Sequence, residues 1–239
     1  MKTGIFIVIV LLSGCFAGTI YGALNLAIVE PYLDDAINIE NQNLFSTGDE
    51  EDTPLFWVEY YEYRSWQKGG EVLAGAIFGT SIGALFGIVY ALSKNSLPSR
   101  NNFGKTLILA GLMWFTLFVI PFLKYLANPP TVGDGETVVL RGILYLSFIA
   151  ISGLSAVGFY KIFKWLKDKK KILAFIGYGV FISVIFLVMP ENPDEITAPM
   201  ELVNGFRAMA FLSSSVFWFA LALILGAFWQ KINPDISHT

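Results

Sequence analysis

The stretch TGIFIVIVLLSGCFAGTIYGALNLAIV, Thr3–Val29, contains no Asp, Glu, Lys, Arg or His and carries Gly14, Gly18 and Gly22 at four-residue intervals. A helix needs about 20 apolar residues to cross the ~30 Å hydrocarbon layer of a bilayer, where a charged side chain costs several kcal/mol. Five further stretches share the property: Val72–Ser93, Thr106–Leu123, Gly142–Tyr160, Ile172–Met189 and Ala208–Gln230. Every Asp, Glu, Lys, Arg and His lies between or beyond these six segments. The pattern predicts an all-α integral membrane protein, a six-span helical bundle occupying residues 1–239 as one transmembrane domain.

Counted alternately, one set of linkers and tails holds eleven bases (Lys2, Lys94, Arg100, Lys105, Lys161, Lys164, Lys167, Lys169, Lys170, Lys171, Lys231) against Asp168 and Asp235. The other set holds five bases and seventeen acids. Basic loops stay on the cytoplasmic side of a membrane, so both termini are expected in the cytoplasm, with the chain in the cell membrane. The net charge of −3 averages two opposed faces.

The same layout removes whole classes of function. More than half of the chain lies in the six segments, and the linkers between them are short, which leaves no room for a soluble catalytic domain. The dense basic run Lys161–Lys171 reads as a topology anchor against lipid headgroups rather than a nucleic-acid site. Cys15 is the single cysteine and His238 the single histidine, so no nucleophile and base can pair, and no phosphate-binding Gly-rich loop occurs. The expectation is a non-enzyme with no firm cofactor. Leu12-Ser13-Gly14-Cys15 has the look of a lipoprotein box, yet the apolar run continues to Val29, and a retained first helix is expected.

Gly75, Gly79, Gly83 and Gly87 repeat in the second span the spacing found in the first. Helices associate in lipid by close backbone approach over such small-residue stripes, so spans one and two should pack together or against a partner helix. Asn25 continues the first stripe and requires a polar partner. The outward-going spans end near Pro31, Pro121 and Pro190. Two of the following loops contain Asn128-Pro129 and Asn192-Pro193, then acids, then Arg141 or Arg207, which suggests repeated helical hairpins in parallel orientation. Each arginine is expected to pair with a loop carboxylate such as Glu136 or Glu195.

The first outer loop, residues 30–71, is acidic and aromatic. It carries eleven acids against Arg64 and Lys68. Leu33, Ala36, Ile37 and Leu44 have helical spacing and predict a short interfacial helix, followed by a charged turn at 46–53. Phe56, Trp57, Tyr60, Tyr61, Tyr63 and Trp66 then suit the headgroup level of a bilayer.

Three segments carry a resemblance: Glu30-Pro-Tyr-Leu-Asp34 through Glu40, Lys124-Tyr-Leu-Ala-Asn128-Pro-Pro-Thr-Val-Gly-Asp134 through Arg141, and Pro190-Glu-Asn-Pro-Asp194-Glu195 with Arg207. They resemble the CbtA family of predicted cobalt transporter subunits, and the likeness runs from the first span to the last. The resemblance implies a prokaryotic multi-pass component of a cobalt uptake system, with Co²⁺ as the transported ion and a small one-span partner subunit that supplies histidines. Relatives often carry histidines in the first outer loop, where this chain has acids and aromatics. On the residues themselves, Glu30, Asp34, Glu40, Asp134, Glu136, Asp194 and Glu195 are the candidate metal-attracting set, since Co²⁺ accepts oxygen ligands. The alternative function is a non-transporting structural or accessory subunit of a larger membrane complex, docking through its glycine stripes and aromatic loop.

Overall fold

The computed structural model describes residues 3–129 and 132–232; Lys2, Pro130, Thr131, Asp235 and His238 therefore lie outside the described residues. The helices are α1 (Thr3–Leu24), α2 (Glu30–Thr47), α3 (Pro54–Ser93), α4 (Asn102–Met113), α5 (Ile120–Lys124), α6 (Val138–Trp165), α7 (Ile172–Val188) and α8 (Met200–Ile232). Among the described residues there is no strand. Six helical stretches are long and apolar enough to cross a membrane, as the charge-free segments predict.

Two compact units make up the chain. The first contains the described residues of Met1–Gly111, Asn128–Thr131 and Ala198–Thr239, and the second those of Leu112–Ala127 and Val132–Thr197. In the first unit α1 lies along α3, and the glycines interlock as the spacing predicts. A methyl group on Gly18 would land on the Gly75 carbonyl oxygen, and one on Gly79 would land on that of Gly14. No side chain intervenes, so the helix backbones touch directly. Further along the pair, Phe6 and Tyr90 set their rings against Trp229 of α8, at centroid distances of 5.5 and 4.8 Å. The Thr106 hydroxyl of α4 donates to the Ala222 carbonyl of α8 at 3.1 Å.

The second unit packs α6 against α7 around Phe148, Ile182 and Ile120, with Tyr125 and Phe186 at its edge. Inside it, Ser152 of α6 donates to the Thr116 carbonyl at 2.6 Å, and the Tyr178 hydroxyl lies 2.9 Å from the same serine. Thr116 sits in a π-helical turn, Trp114–Val119, five residues before Pro121. That turn bonds each carbonyl to the N–H five residues on, and a proline has none to give. Ser152 supplies the missing donor.

A matching π turn, Asn25–Val29, precedes Pro31 in the first unit, and here Ser213 of α8 donates to the Asn25 side-chain oxygen. The amide thus has the polar partner its position requires. Both prolines follow the same local text, Val29-Glu30-Pro31 and Val119-Ile120-Pro121, and Val188-Met189-Pro190 repeats it at the end of α7. A proline was expected to end each outward span. At Pro31 and Pro121 it instead occupies the first turn of a continuing helix, where its fixed φ suits the helix.

This difference is largest at 30–71, which forms two helices rather than a loop with one short helix. Helix α2 continues the first span for 18 residues, and α3 begins at Pro54, well before the charge-free segment. Between them Gly48 takes a left-handed conformation (φ +79°) that closes α2, and the Thr53 hydroxyl accepts from the Phe56 N–H at 3.2 Å to open α3. Phe45 of α2 meets Phe56 of α3 at 5.0 Å, and Phe45, Phe56, Trp57, Tyr60 and Tyr61 form a chain of ring contacts at this tip.

The glycine interface carries a direct prediction. Gly18→Ala or Gly79→Ala forces the two backbones apart and should cost at least about 1–3 kcal/mol, seen as a lowered thermal unfolding midpoint in detergent. Gly158→Ala, where an added methyl meets nothing within 4 Å, should leave the midpoint unchanged.

Candidate functional site

Charges missing from the spans concentrate where α2 and α3 leave the charge-free segments. Glu30 and Asp34 stand one turn apart on α2; Arg64 and Lys68 stand one turn apart on α3. Arg64 donates to the carboxylates of both Glu30 and Asp34, the latter at 2.8 Å, and to the Gln67 side-chain oxygen at 2.7 Å. Lys68 donates to Asp34 at 2.6 Å. Glu30 and Arg64 are buried, with 8% and 7% of their surfaces exposed. Burial alone would raise the Asp34 carboxyl, but the hydrogen bonds from Lys68 and Arg64 outweigh it and hold it below its ordinary value. On Arg64 burial acts downward, and the two carboxylates more than reverse it.

One acid stands apart from this pairing. Glu71, the last residue before the second charge-free segment, has a buried carboxylate oxygen with no hydrogen-bond partner. Burial first, then the neighbouring Glu30, pushes its carboxyl up to about 7, with Arg64 and Lys68 pulling the other way. Glu30, Arg64, Gln67 and Glu71 line an open cleft of about 490 Å³ together with apolar Leu33, Ile37, Trp66 and Ala74.

In the second unit the organising acid is Asp194, whose side chain is 3% exposed. Its carboxylate forms an ion pair with Arg141 at 2.9 Å and accepts from the Thr137 hydroxyl at 2.7 Å. Arg141 also donates to the Asp134 carbonyl at 3.2 Å, while the Asp134 side chain accepts from the Glu136 N–H at 2.9 Å. Gly133 fits this turn for two reasons: its φ is +108°, and a Cβ there would strike the Asp194 carboxylate. The Val132-Gly133-Asp134 segment is thereby fastened to the segment between α7 and α8.

The arginine pairings differ from the expected ones. Arg141, which follows the second loop, takes Asp194 from the third rather than Glu136. Arg207, which follows the third loop, donates to the Asn128 side-chain oxygen of the second at 2.7 Å rather than to Glu195. Each reaches the turn of the other loop, and Arg141 also holds its own through the Asp134 carbonyl. Burial lowers the Arg207 guanidinium from its ordinary value.

The seven candidate metal-attracting acids are thus divided. Glu30, Asp34 and Glu40 belong to the first unit, and Asp134, Glu136, Asp194 and Glu195 to the second. Glu30, Asp34 and Asp194 are held by bases, whereas Glu40, Asp134, Glu136 and Glu195 are exposed. Among the described residues no three His, Cys, Asp or Glu side chains are grouped so as to hold a metal ion. Arg64, Lys68, Gln67 and Glu71 were not foreseen as a set. The signal was present as acids at 30 and 34 and bases at 64 and 68, which becomes legible once 30–71 is read as two helices.

Two outcomes follow. Arg141→Gln leaves Asp194 buried and uncompensated and should destabilise by about 3–5 kcal/mol; adding Asp194→Asn should recover part of the loss, measured as unfolding midpoints over the double-mutant cycle. Glu71 binds a proton more tightly folded than unfolded, so its contribution to stability is complete below about pH 4.5 and lost as pH rises through about 7. The midpoint in detergent should fall between about pH 5 and about pH 8, and Glu71→Gln should flatten that slope.

No curated protein sequence and no solved structure matches the chain. The model of the family described as "Probable cobalt transporter subunit (CbtA)" matches residues 4–230. With its six long apolar helices the chain is a multi-pass membrane protein, and it belongs to the CbtA family of probable cobalt transporter subunits.

Proposed function

We propose that the chain is the multi-pass subunit of a Co²⁺ uptake system in the cell membrane, working with a small one-span partner, with both termini and the Lys161–Lys171 linker in the cytoplasm. The observation that carries the proposal is the family match over residues 4–230. The charge asymmetry supports the orientation.

In this reading the outer face attracts the ion by its field rather than by a finished coordination shell. Exposed Glu40, Asp134, Glu136 and Glu195 gather the dication. Glu30, Asp34 and Asp194, already bound to guanidinium or ammonium groups, hold the helices and loops of their own units in place. Oxygen ligands alone discriminate poorly between Co²⁺ and Mg²⁺ or Ca²⁺, and the single histidine of this chain is His238. Nitrogen ligands then come from the partner. Within the spans no Asp, Glu, Lys, Arg or His is present to replace the ion's hydration, so passage relies on hydroxyl, amide and carbonyl oxygens such as those of Asn25 and Ser213.

A structural, non-transporting role is the competing reading. It calls on the glycine stripes and the aromatic loop as docking surfaces. Gly14, Gly18, Gly75, Gly79 and Gly83 are consumed inside the α1–α3 contact, which favours the uptake role, while Tyr61, Tyr63 and Trp66 of the aromatic segment stay exposed.

The test is Co²⁺ accumulation in proteoliposomes holding the chain with its co-purifying partner. Replacing Glu40, Asp134, Glu136 and Glu195 together by their amides should raise the half-saturating Co²⁺ concentration roughly tenfold at low ionic strength, with a much smaller effect in high salt. Accumulation no greater than in empty vesicles would overturn the proposal.

A further inference from the structure

Two buried atoms of α3 are left without a hydrogen-bond partner: the Arg64 Nε, a donor, and one Glu71 carboxylate oxygen, an acceptor. Both are sealed from solvent, so whatever answers them must come from the protein itself. Arg64 and Glu71 are seven residues apart, two turns along one face of the helix, and would answer each other if that face were shorter. Between them stand Gly69 and Gly70.

No packing explains these two glycines. A Cβ on Gly75, Gly79 or Gly83 would strike the backbone of α1, whereas one on Gly69 or Gly70 would meet nothing within 4 Å. Glycine weakens a helix interior relative to alanine, and a pair of small residues is a common cause of a bend. The other leg of the hairpin is soft at the same height. A Cβ on Gly22 would meet the Glu71 carbonyl oxygen, so in this antiparallel pair Gly69 and Gly70 stand level with the start of the π turn at 25–29, which Pro31 follows. A π turn and a proline are further common causes of a helix bend. Above this level the two legs are tied into one body, Arg64 to Glu30 and Asp34, Lys68 to Asp34, and Phe45 to Phe56. Below it the glycines lock α1 on α3, and Glu71 stays with that fixed part. Where α2 rests on α8, Tyr32 lies against Gly205 close to the base of the hairpin, where a tilt displaces it least.

We propose that residues 30–68 tilt as one body about a hinge made of the π turn at 25–29 and Gly69-Gly70, and that the tilted position is held by the Arg64 Nε–H donating to Glu71. The open cleft of about 490 Å³ straddles this hinge, with Leu33, Ile37 and Arg64 on its upper wall and Glu71 and Ala74 on its lower wall, and it gives the body room to lean. Leaning shortens the face of α3 that carries both Arg64 and Glu71 and brings guanidinium and carboxylate together across the bend. Arg64 keeps Glu30 and Asp34 through another of its nitrogens, because those acids travel with it. The movement belongs to the chain alone and does not rest on the uptake reading.

Distances between pairs of nitroxide labels, measured by pulsed electron resonance in nanodiscs, test the proposal. The labelled chains carry Cys15→Ala to remove the native thiol, and the sample is held at pH 8, above the value of about 7 to which burial pushes Glu71. A tilt of about 20° carries Leu55, about 21 Å above the hinge, sideways by about 7 Å. Labels at exposed Leu55 and at exposed Leu212 of α8 should therefore give two populations, whereas labels at Asp35 and Leu55, both on the moving body, should give one. Gly69→Ala with Gly70→Ala fills empty space and strengthens the helix, so it should leave one Leu55–Leu212 population without lowering the unfolding midpoint. Glu71→Leu should remove the tilted population and keep the other. A single Leu55–Leu212 population in the wild type, two populations persisting in the double alanine variant, a lowered midpoint in that variant, or a split Asp35–Leu55 distance overturns the hinge. Two populations unchanged by Glu71→Leu overturn the Arg64–Glu71 contact as what holds the tilt.

Discussion

Direct backbone contact between α1 and α3 is the constraint on which the first unit depends. Lipid tails are as apolar as leucine, so no hydrophobic force drives these helices together, and association rests on how closely their atoms approach. Glycines facing glycines give the closest approach two helices can make. With α1 fixed on α3 in this way, the register of everything above it follows. Glu30 and Asp34 come level with Arg64 and Lys68, and the four charges neutralise one another instead of facing lipid or water separately.

A second theme is the handling of proline. In a bilayer a carbonyl without a donor cannot turn to water, so each proline within a span needs a substitute. Ahead of Pro121 the chain uses a wider turn and a serine from a neighbouring helix, Ser152 donating to the Thr116 carbonyl; ahead of Pro31 the same wider turn occurs, and there Ser213 donates instead to the Asn25 side-chain oxygen. The recurrence of Val-x-Pro at 29–31, 119–121 and 188–190 is a stronger trace of repetition than the loop motifs, because two of the three positions share a backbone device as well as residue types. The third differs: α7 ends at Val188, and the Pro190 carbonyl accepts from the Tyr125 hydroxyl at 2.7 Å.

Much of this was legible in the sequence, and the reason is the bilayer. Exclusion of charge from hydrocarbon marks span ends sharply, and the Gly14-Gly18-Gly22 spacing identified the face that meets α3. What escaped was anything depending on which residues meet across long separations. Pro31 reads as a terminator when the π turn before it is not visible, so 30–71 read as a loop. Arg141 read as the partner of nearby Glu136, but its long side chain reaches Asp194, more than fifty residues away. Of the candidate site, Glu30 and Asp34 were found by charge alone, whereas Glu71 gains its interest only from burial and from an unanswered oxygen.

The bond between Asn25 and Ser213 spans 188 residues. At the roughly 5–20 residues per second of translation, the first span's amide is made about 10–40 s before its serine exists. The glycine face of α3, by contrast, leaves the ribosome within seconds of α1. Assembly of the first unit is therefore ordered in time: a locked helical pair forms early and must shelter an unmet amide, through the translocon or against its own backbone, until the last segment arrives to close the bundle.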